Sequence, residues 1–226
     1  MEPRTTADGS LTLYSPAYGQ TLHSHHGAVT ESRHVFLRGS GVASRLDLGR
    51  PTSVLEIGFG TGLNFLLSAD AALATGTPLR YVALDRSLPD RDLLATLGYG
   101  RHLSHNQLWT RFLTFRGSLT PEANPTFHYG PARLSLQLRD ATDAPLEAED
   151  FDAIYLDAFS PDVNPELWSE AFLSSLVTAL SAGGILVSYS VKGEVRRRLA
   201  RLGLEVARHP GPLAGKREML WARKGT

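Results

Sequence analysis

The chain has 226 residues, with 23 Lys and Arg against 23 Asp and Glu, so its formal net charge is zero. With 42% hydrophobic and 20% charged residues it can bury one large core, and it contains no Cys. These figures exclude disulfide scaffolds, thiolate metal centres, iron–sulfur clusters and cysteine nucleophiles, and they confine any binding of a polyanion to a local patch.

The opening MEPRTTADGS lacks the basic and apolar regions of a signal peptide. The most apolar stretch, Leu63 to Ala74, includes Asn64, Ser68 and Asp70 and is too short to span a bilayer. A cytoplasmic protein with no membrane partner is expected. Residues 1–50 form a leading segment rich in Ser, Gly and His, with one helix-compatible piece from about Glu31 to Leu46. After Arg50-Pro51, the run 52–57 (TSVLEI) is a short buried strand that ends in the glycine turn Gly58-Phe-Gly60-Thr-Gly62. Leu63 to Ala74 then has helical spacing up to Gly76, and Leu79 to Leu84 is a second strand ending at Asp85. Strand, glycine turn, helix and strand make a βαβ unit, which requires a parallel sheet.

Periodicity weakens over 88–131, where Leu88–Leu97 and His102–Phe112 read as short helices. Thr126–Tyr129 and Arg133–Leu138 read as strands joined at Gly130-Pro131. Phe151–Leu156 is a strand ending at Asp157. Pro165 suits the first turn of a helix whose stripe Trp168, Phe172, Leu176 and Leu180 runs to a stop at Gly183-Gly184. Ile185–Tyr189, a helix from about Lys192 to Leu202, and strands at Leu204–Ala207 and Met219–Ala222 complete the pattern. Alternating strands and helices predict one doubly wound α/β domain.

The turn spacing is G-x-G-x-G, with Leu at position 63, not the G-x-G-x-x-G of a dinucleotide site. Glu56 beside the turn would repel a pyrophosphate, so a cationic or zwitterionic ligand without phosphate suits it better. S-adenosylmethionine has this character. Asp85 and Asp140 stand at further strand ends, where carboxylates can reach ribose hydroxyls and an adenine amino group over the same crevice. At the next strand end, Asp157 can accept hydrogen bonds from an amine, and Phe159 offers a ring on which a planar group can stack.

The stretch 156–168, LDAFSPDVNPELW, resembles the catalytic loop of the methyltransferases that complete 5-methylaminomethyl-2-thiouridine at the tRNA wobble position. So do LEIGFGTGLNF at the glycine turn, 31–37 (ESRHVFL), and the C-terminal stretches Gly193–Leu199 and Lys216–Leu220, so the likeness spans about Tyr14 to Ala222. It departs from that family at Asp85-Arg86, where Glu-Lys is frequent, at Arg139 before Asp140, where Gly is frequent, and at GPLAG before Lys216.

The resemblance implies a Rossmann-like class I methyltransferase fold, with a mostly parallel sheet and an antiparallel last strand. Residues 51–226 would be the methyltransferase domain, with an insertion at about 88–131, and residues 1–50 would fold over the cofactor and substrate site. It implies N-methylation of the primary amine of 5-aminomethyl-2-thiouridine, using S-adenosylmethionine and neither flavin nor metal. Glu56, Gly58, Gly60, Gly62, Asn64, Asp85, Asp140 and Asp157 would hold the cofactor, and Asp157 with Phe159 would serve catalysis. Glu31, Arg33, Arg196, Arg197, Lys216 and Arg217 would meet the tRNA anticodon loop. A separate enzyme would supply the aminomethyl group, because the flavin-dependent oxidase half of the bifunctional relatives is missing from this sequence. His23, His25 and His26 suggest a metal, but no further ligand lies nearby and methyl transfer needs none. Two rivals remain at this point: an enzyme acting on a small amine, as aminopropyltransferases do, and a non-catalytic adenosylmethionine-binding protein that docks RNA or a partner.

Overall fold

The computed structural model describes residues 1–120, 124–143, 146, 151–212, 215 and 217–226. The leading segment holds more regular structure than its composition predicts. Strands β1 (Glu2–Thr5), β2 (Leu11–Ser15) and β3 (Gln20–Thr21) form a small antiparallel sheet. The helix-compatible piece is broken into three. Helix α1 (Ala28–Glu31) runs into a π-helical stretch, Ser32–Arg38, and α2 (Val42–Asp47) starts afresh after Gly41, whose φ is +81°.

The main domain follows as β4 (Thr52–Ile57), α3 (Leu63–Thr75), β5 (Leu79–Asp85), α4 (Arg91–Ala95), a 3-10 turn at Tyr99–His102, α5 (Gln107–Gly117), β6 (Thr126–Tyr129), β7 (Ala132–Leu138) and β8 (Phe151–Leu156). A 3-10 turn at Pro165–Trp168, α6 (Glu170–Ala179), β9 (Leu180–Ser188), α7 (Gly193–Arg201), β10 (Glu205–Pro210) and β11 (Glu218–Arg223) complete the chain.

The eight strands lie in the order β10-β11-β9-β8-β4-β5-β7-β6. From β9 to β7 every neighbouring pair is parallel. Strand β11 runs antiparallel between β9 and β10, so the expected reversed last strand is present. A second antiparallel strand, β6, closes the other edge through its hairpin with β7.

One expectation fails at α6. Pro165 opens only a single 3-10 turn, and the α-helix begins separately at Ser169, whose hydroxyl accepts the Phe172 N–H at 3.2 Å. Gly183-Gly184 do not stop this helix. It ends at Ala179, and Leu180 already belongs to β9. The two glycines lie where the β8–β9 register shifts, between the Phe151–Leu180 and Ala153–Ile185 pairs, as bulge residues do. Trp168, Phe172, Leu176 and Leu180 are nonetheless all buried.

Apolar side chains cover both faces of the sheet, as a central parallel sheet requires. One core holds Val54, Phe65, Tyr81, Phe112 and Tyr155 beneath α1–α3 and α5. The other holds Leu55, Ile57, Ile154, Trp168 and Leu176 beneath α6 and α7. The chain leaves β4 toward β5 on one side and reaches β8 on the other, so strand order reverses between β4 and β8. A ligand crevice is expected at the carboxyl ends of those two strands.

Candidate active site

The crevice is there. A cleft of about 950 Å³, counted out to its open mouth, is lined by the ends of β4, β5, β7 and β8 and by Tyr18, Thr21, Leu22 and His23 of the leading segment.

The glycines of the turn have separate tasks. Gly58 has φ +91°, and a Cβ there would sit 2.6 Å from the Asp157 carbonyl oxygen, so only glycine lets the end of β8 approach this closely. The Asp157 N–H donates to the Ile57 carbonyl at 2.9 Å and fixes that approach. At Gly62 a Cβ would meet the Phe112 and Phe59 rings at 2.7 and 2.9 Å. Gly60 faces the cleft, and its N–H donates to Asp85 Oδ2 at 2.7 Å.

Four carboxylates cluster around the turn, in different settings. Asp85 also accepts the Ser87 N–H at 3.1 Å, and burial raises its pKa. Asp140 accepts the Thr142 N–H and hydroxyl at 2.9 and 2.8 Å and is ion-paired with Arg86. The Thr142 backbone N–H, with the Arg86 charge, holds it below the usual carboxylate range. Glu56 is fully buried, on the face of β4 that looks toward α3. Its Oε1 accepts from Asn64 Nδ2 at 2.8 Å and its Oε2 from the Tyr81 hydroxyl at 2.9 Å. Burial pushes Glu56 up to about 8. The second hydrogen of the same Asn64 amide goes to Asp157 Oδ2, also at 2.8 Å. Asp157 lines the cleft, whereas Glu56 and Asn64 stand behind its wall.

Around Asp157 the wall is aromatic. The Phe159 ring stacks on Tyr18, with centroids 4.2 Å apart, and the neighbouring Gln20 amide donates to Ser160 Oγ at 2.9 Å. Trp168 Nε1 donates to the Phe159 carbonyl at 2.8 Å and secures the loop from below. The Tyr189 hydroxyl donates to the Ala158 carbonyl at 2.9 Å. Burial and the nearby Asp157 and Glu31 carboxylates raise its pKa far above the ordinary phenol value. Tyr18 and Tyr189 escaped the sequence reading. Tyr189 carried one signal, its place at the end of a predicted strand, whereas Tyr18 carried none.

Of the predicted site residues, the fold brings Gly58, Gly60, Asp85, Asp140, Asp157 and Phe159 to the cleft, with Glu56, Gly62 and Asn64 just behind it. Glu31 is buried and accepts the Ser24 N–H at 2.9 Å. Arg33 does not line the cleft, and donates to the His102 carbonyl at 2.5 Å. On α7, Val195 and Leu199 face the core, and Arg196 lies 3.5 Å from Glu218. Arg198 pairs with Glu194, Arg201 pairs with Glu170, and Arg197 and Arg217 are exposed. Lys216 lies outside the described residues. The three histidines do not converge. His23 is buried with Nδ1 3.0 Å from Thr12 Oγ1, while the His25 and His26 rings tilt against each other with centroids 4.0 Å apart. Among the described residues no three His, Cys, Asp or Glu side chains are placed to hold a metal ion.

A family model described as S-adenosyl-L-methionine-dependent methyltransferase matches residues 103–225. Sheet order, switch-point cleft and this match define the class, an S-adenosyl-L-methionine-dependent methyltransferase. Two relatives are named tRNA 5-methylaminomethyl-2-thiouridine biosynthesis bifunctional protein MnmC. The one from Aromatoleum aromaticum is 35% identical over 96% of this chain, and the one from an Azoarcus species 36% over 94%. The crystal structure of MNMC2 from Aquifex aeolicus is 28% identical, with TM-score 0.78 over 98% of this chain and 69% of that one. Magnesium protoporphyrin IX methyltransferase from Synechocystis, 13% identical with TM-score 0.50 over 88% of this chain and 84% of that one, shares the fold alone. The chain belongs to the MnmC methyltransferase-domain family. It spans about a third of the length of the curated relatives it matches, 34% of each of these two.

Proposed function

We propose that the chain transfers the methyl group of S-adenosylmethionine to the primary amine of 5-aminomethyl-2-thiouridine at the tRNA wobble position. The observation that carries this reading is Asp157 in the lining of the cleft, with an aromatic ring two residues away on the same loop. The names of the relatives, which state biosynthesis of the methylated nucleoside in tRNA, agree with it.

The donor set fits the cofactor. Asp85 and Asp140 are acceptors suited to hydroxyl and amino groups. The two arginines of the cleft are engaged with Asp140 and Gln137, not offered to a phosphate. When bound, S-adenosylmethionine supplies a methyl group activated by its sulfonium. The residues of the chain do the rest. Asp157 orients the neutral amine and stabilises the positive charge that develops on nitrogen. Methyl transfer would form the N–C bond as the sulfonium S–C bond breaks, its electron pair staying on sulfur in the neutral thioether that leaves; the secondary ammonium so formed would face Asp157 until its proton passes to water. Phe159 stacks the extruded base, the way RNA loops are read by aromatic side chains. Most of the acceleration comes from alignment of the reacting atoms. Arg197 and Arg217 contact phosphates of the anticodon loop, and another enzyme provides the aminomethyl group.

The test is transfer of labelled methyl to tRNA from cells that lack this methylation, followed by nucleoside mass spectrometry. Conversion of 5-aminomethyl-2-thiouridine to 5-methylaminomethyl-2-thiouridine is expected. Label that appears on a different nucleoside, or no transfer despite cofactor binding, overturns the assignment.

A further inference from the structure

Asn64 is the second residue of α3 and is buried, and its amide joins two carboxylates that come from different strands. One hydrogen goes to Glu56 Oε1 and the other to Asp157 Oδ2, each at 2.8 Å. Its own Oδ1 is buried and has no partner among the described residues. The orientation of the amide is therefore set by Asp157, because the reverse orientation would turn an acceptor toward that carboxylate.

Glu56 is equally constrained. It is fully buried, it does not line the cleft, and it faces two uncharged donors, Asn64 and Tyr81. Burial favours the neutral acid, consistent with its upward shift. A neutral acid behind the wall is poorly placed to balance the charge of a cationic ligand, which was the reason for assigning it to the cofactor. It is well placed to hold an amide still.

We infer that Glu56 and Asn64 form a relay that aims Asp157: Glu56 anchors one hydrogen of the Asn64 amide, Asn64 gives the other to Asp157, and neither touches the cofactor. Both are positioning residues for the reaction proposed above, and the inference rests on that reading of Asp157. Among the common side chains, only an amide can donate to two carboxylates at once while filling this space. Asp at position 64 would add a third acid, and Leu would remove the amide donor from both, leaving Glu56 its Tyr81 hydroxyl.

The experiment measures S-adenosylmethionine affinity by calorimetry, and kcat and KM for tRNA carrying 5-aminomethyl-2-thiouridine. The proteins are wild type, Asn64→Leu, Glu56→Gln, Glu56→Leu, Asp157→Asn and the Asn64→Leu/Asp157→Asn double variant. Misaiming a catalytic group costs on the order of tenfold to a hundredfold in rate, so kcat of Asn64→Leu and Glu56→Leu falls by that factor while cofactor affinity and KM stay near wild type. Glu56→Gln retains kcat, because its Oε1 still accepts from Asn64 and its amide meets Tyr81. The two substitutions in the double variant are not additive: once Asp157 is Asn, losing Asn64 costs nothing further, as coupled residues behave. A purely structural role would give additive losses, and a cofactor contact would give weakened affinity at preserved kcat. Either result overturns the relay. Should Asn64→Leu unfold, the Glu56→Gln and Glu56→Leu pair decides alone, and equal loss in both overturns it. A wild type that leaves this tRNA unmethylated fails the proposed function instead, which separates the two failures.

Discussion

Two buried titratable side chains give the stability of the protein opposite pH dependences. Burial lowers His23 to about 4 from an ordinary 6.5, so the folded state refuses a proton that the unfolded chain accepts. The stability tied to neutral His23 is complete above 6.5 and is lost as pH falls toward 4, by at most about 1.4 kcal/mol per unit. Glu56 is raised from 4.5 to about 8, so the folded state keeps a proton that the unfolded chain gives up. Its contribution is complete below 4.5 and is lost as pH rises through about 8. Urea unfolding at a series of pH values is therefore expected to show His23→Gln flattening the acid side and Glu56→Gln the side between 4.5 and 8. A pH profile left unchanged by both substitutions would mean that neither group is held in the uncharged form. The sequence made Glu56 visible as an acid beside a glycine turn. It could not tell which face of β4 carries it, because a central strand is apolar on both sides and alternation has no polar side to mark. The Arg86–Asp140 pair was hidden for a different reason: it joins the ends of two strands whose adjacency only the sheet order provides.

At the scale of elements, the turn after β4 is where conformation and approach are most demanding. Gly58→Ala puts a methyl group against the Asp157 carbonyl at a backbone angle few side chains adopt. It is expected to cost about 2–4 kcal/mol in unfolding free energy, with loss of cofactor affinity. Gly60→Ala has room, with only a Leu22 methyl group 3.6 Å away, and its φ of +52° is within the left-handed region. It is expected to cost about 1 kcal/mol, with its larger effect on cofactor binding measured by calorimetry. Similar losses of stability in the two variants would contradict this division of tasks. Ser169→Ala removes the cap of α6 and is expected to cost about 1 kcal/mol. Where elements are continuous apolar runs bounded by turns, as in β4, α3, β5 and β8, their limits were legible to within a residue. The apolar stripe from Trp168 to Leu180 reported burial correctly but not helix limits, since a 3-10 turn, an α-helix and the first residue of a strand can all face one core. Strand β1 is exposed along its length and carries no alternation that could have shown it.

The whole molecule balances 23 basic against 23 acidic residues, and α7 repeats that balance locally through Glu170, Glu194 and Glu218. On the proposed reading, attraction to tRNA would come from few cations. With Arg197 and Arg217 as the phosphate contacts, the log–log dependence of affinity on salt has an expected slope of only about −1.4 to −1.8. Arg197→Ala reduces it by about one. A slope several times steeper would place the RNA on another surface. The alternation of strands and helices made the doubly wound sheet legible, and the glycine turn made its ligand edge legible. What joins the leading segment to that edge, the Tyr18–Phe159 stack and the Gln20–Ser160 hydrogen bond, depends on contacts far apart in the chain that no local pattern announces.

In the proposed reaction Asp157 acts on an amine held over this cleft. Its most direct test is single-turnover methyl transfer to tRNA bearing 5-aminomethyl-2-thiouridine by wild type and Asp157→Asn, with S-adenosylmethionine affinity measured for both. Transfer by the wild type is expected, with a rate lower by on the order of a hundredfold in the variant and the cofactor still bound. An Asp157→Asn protein that methylates at the wild-type rate would contradict it.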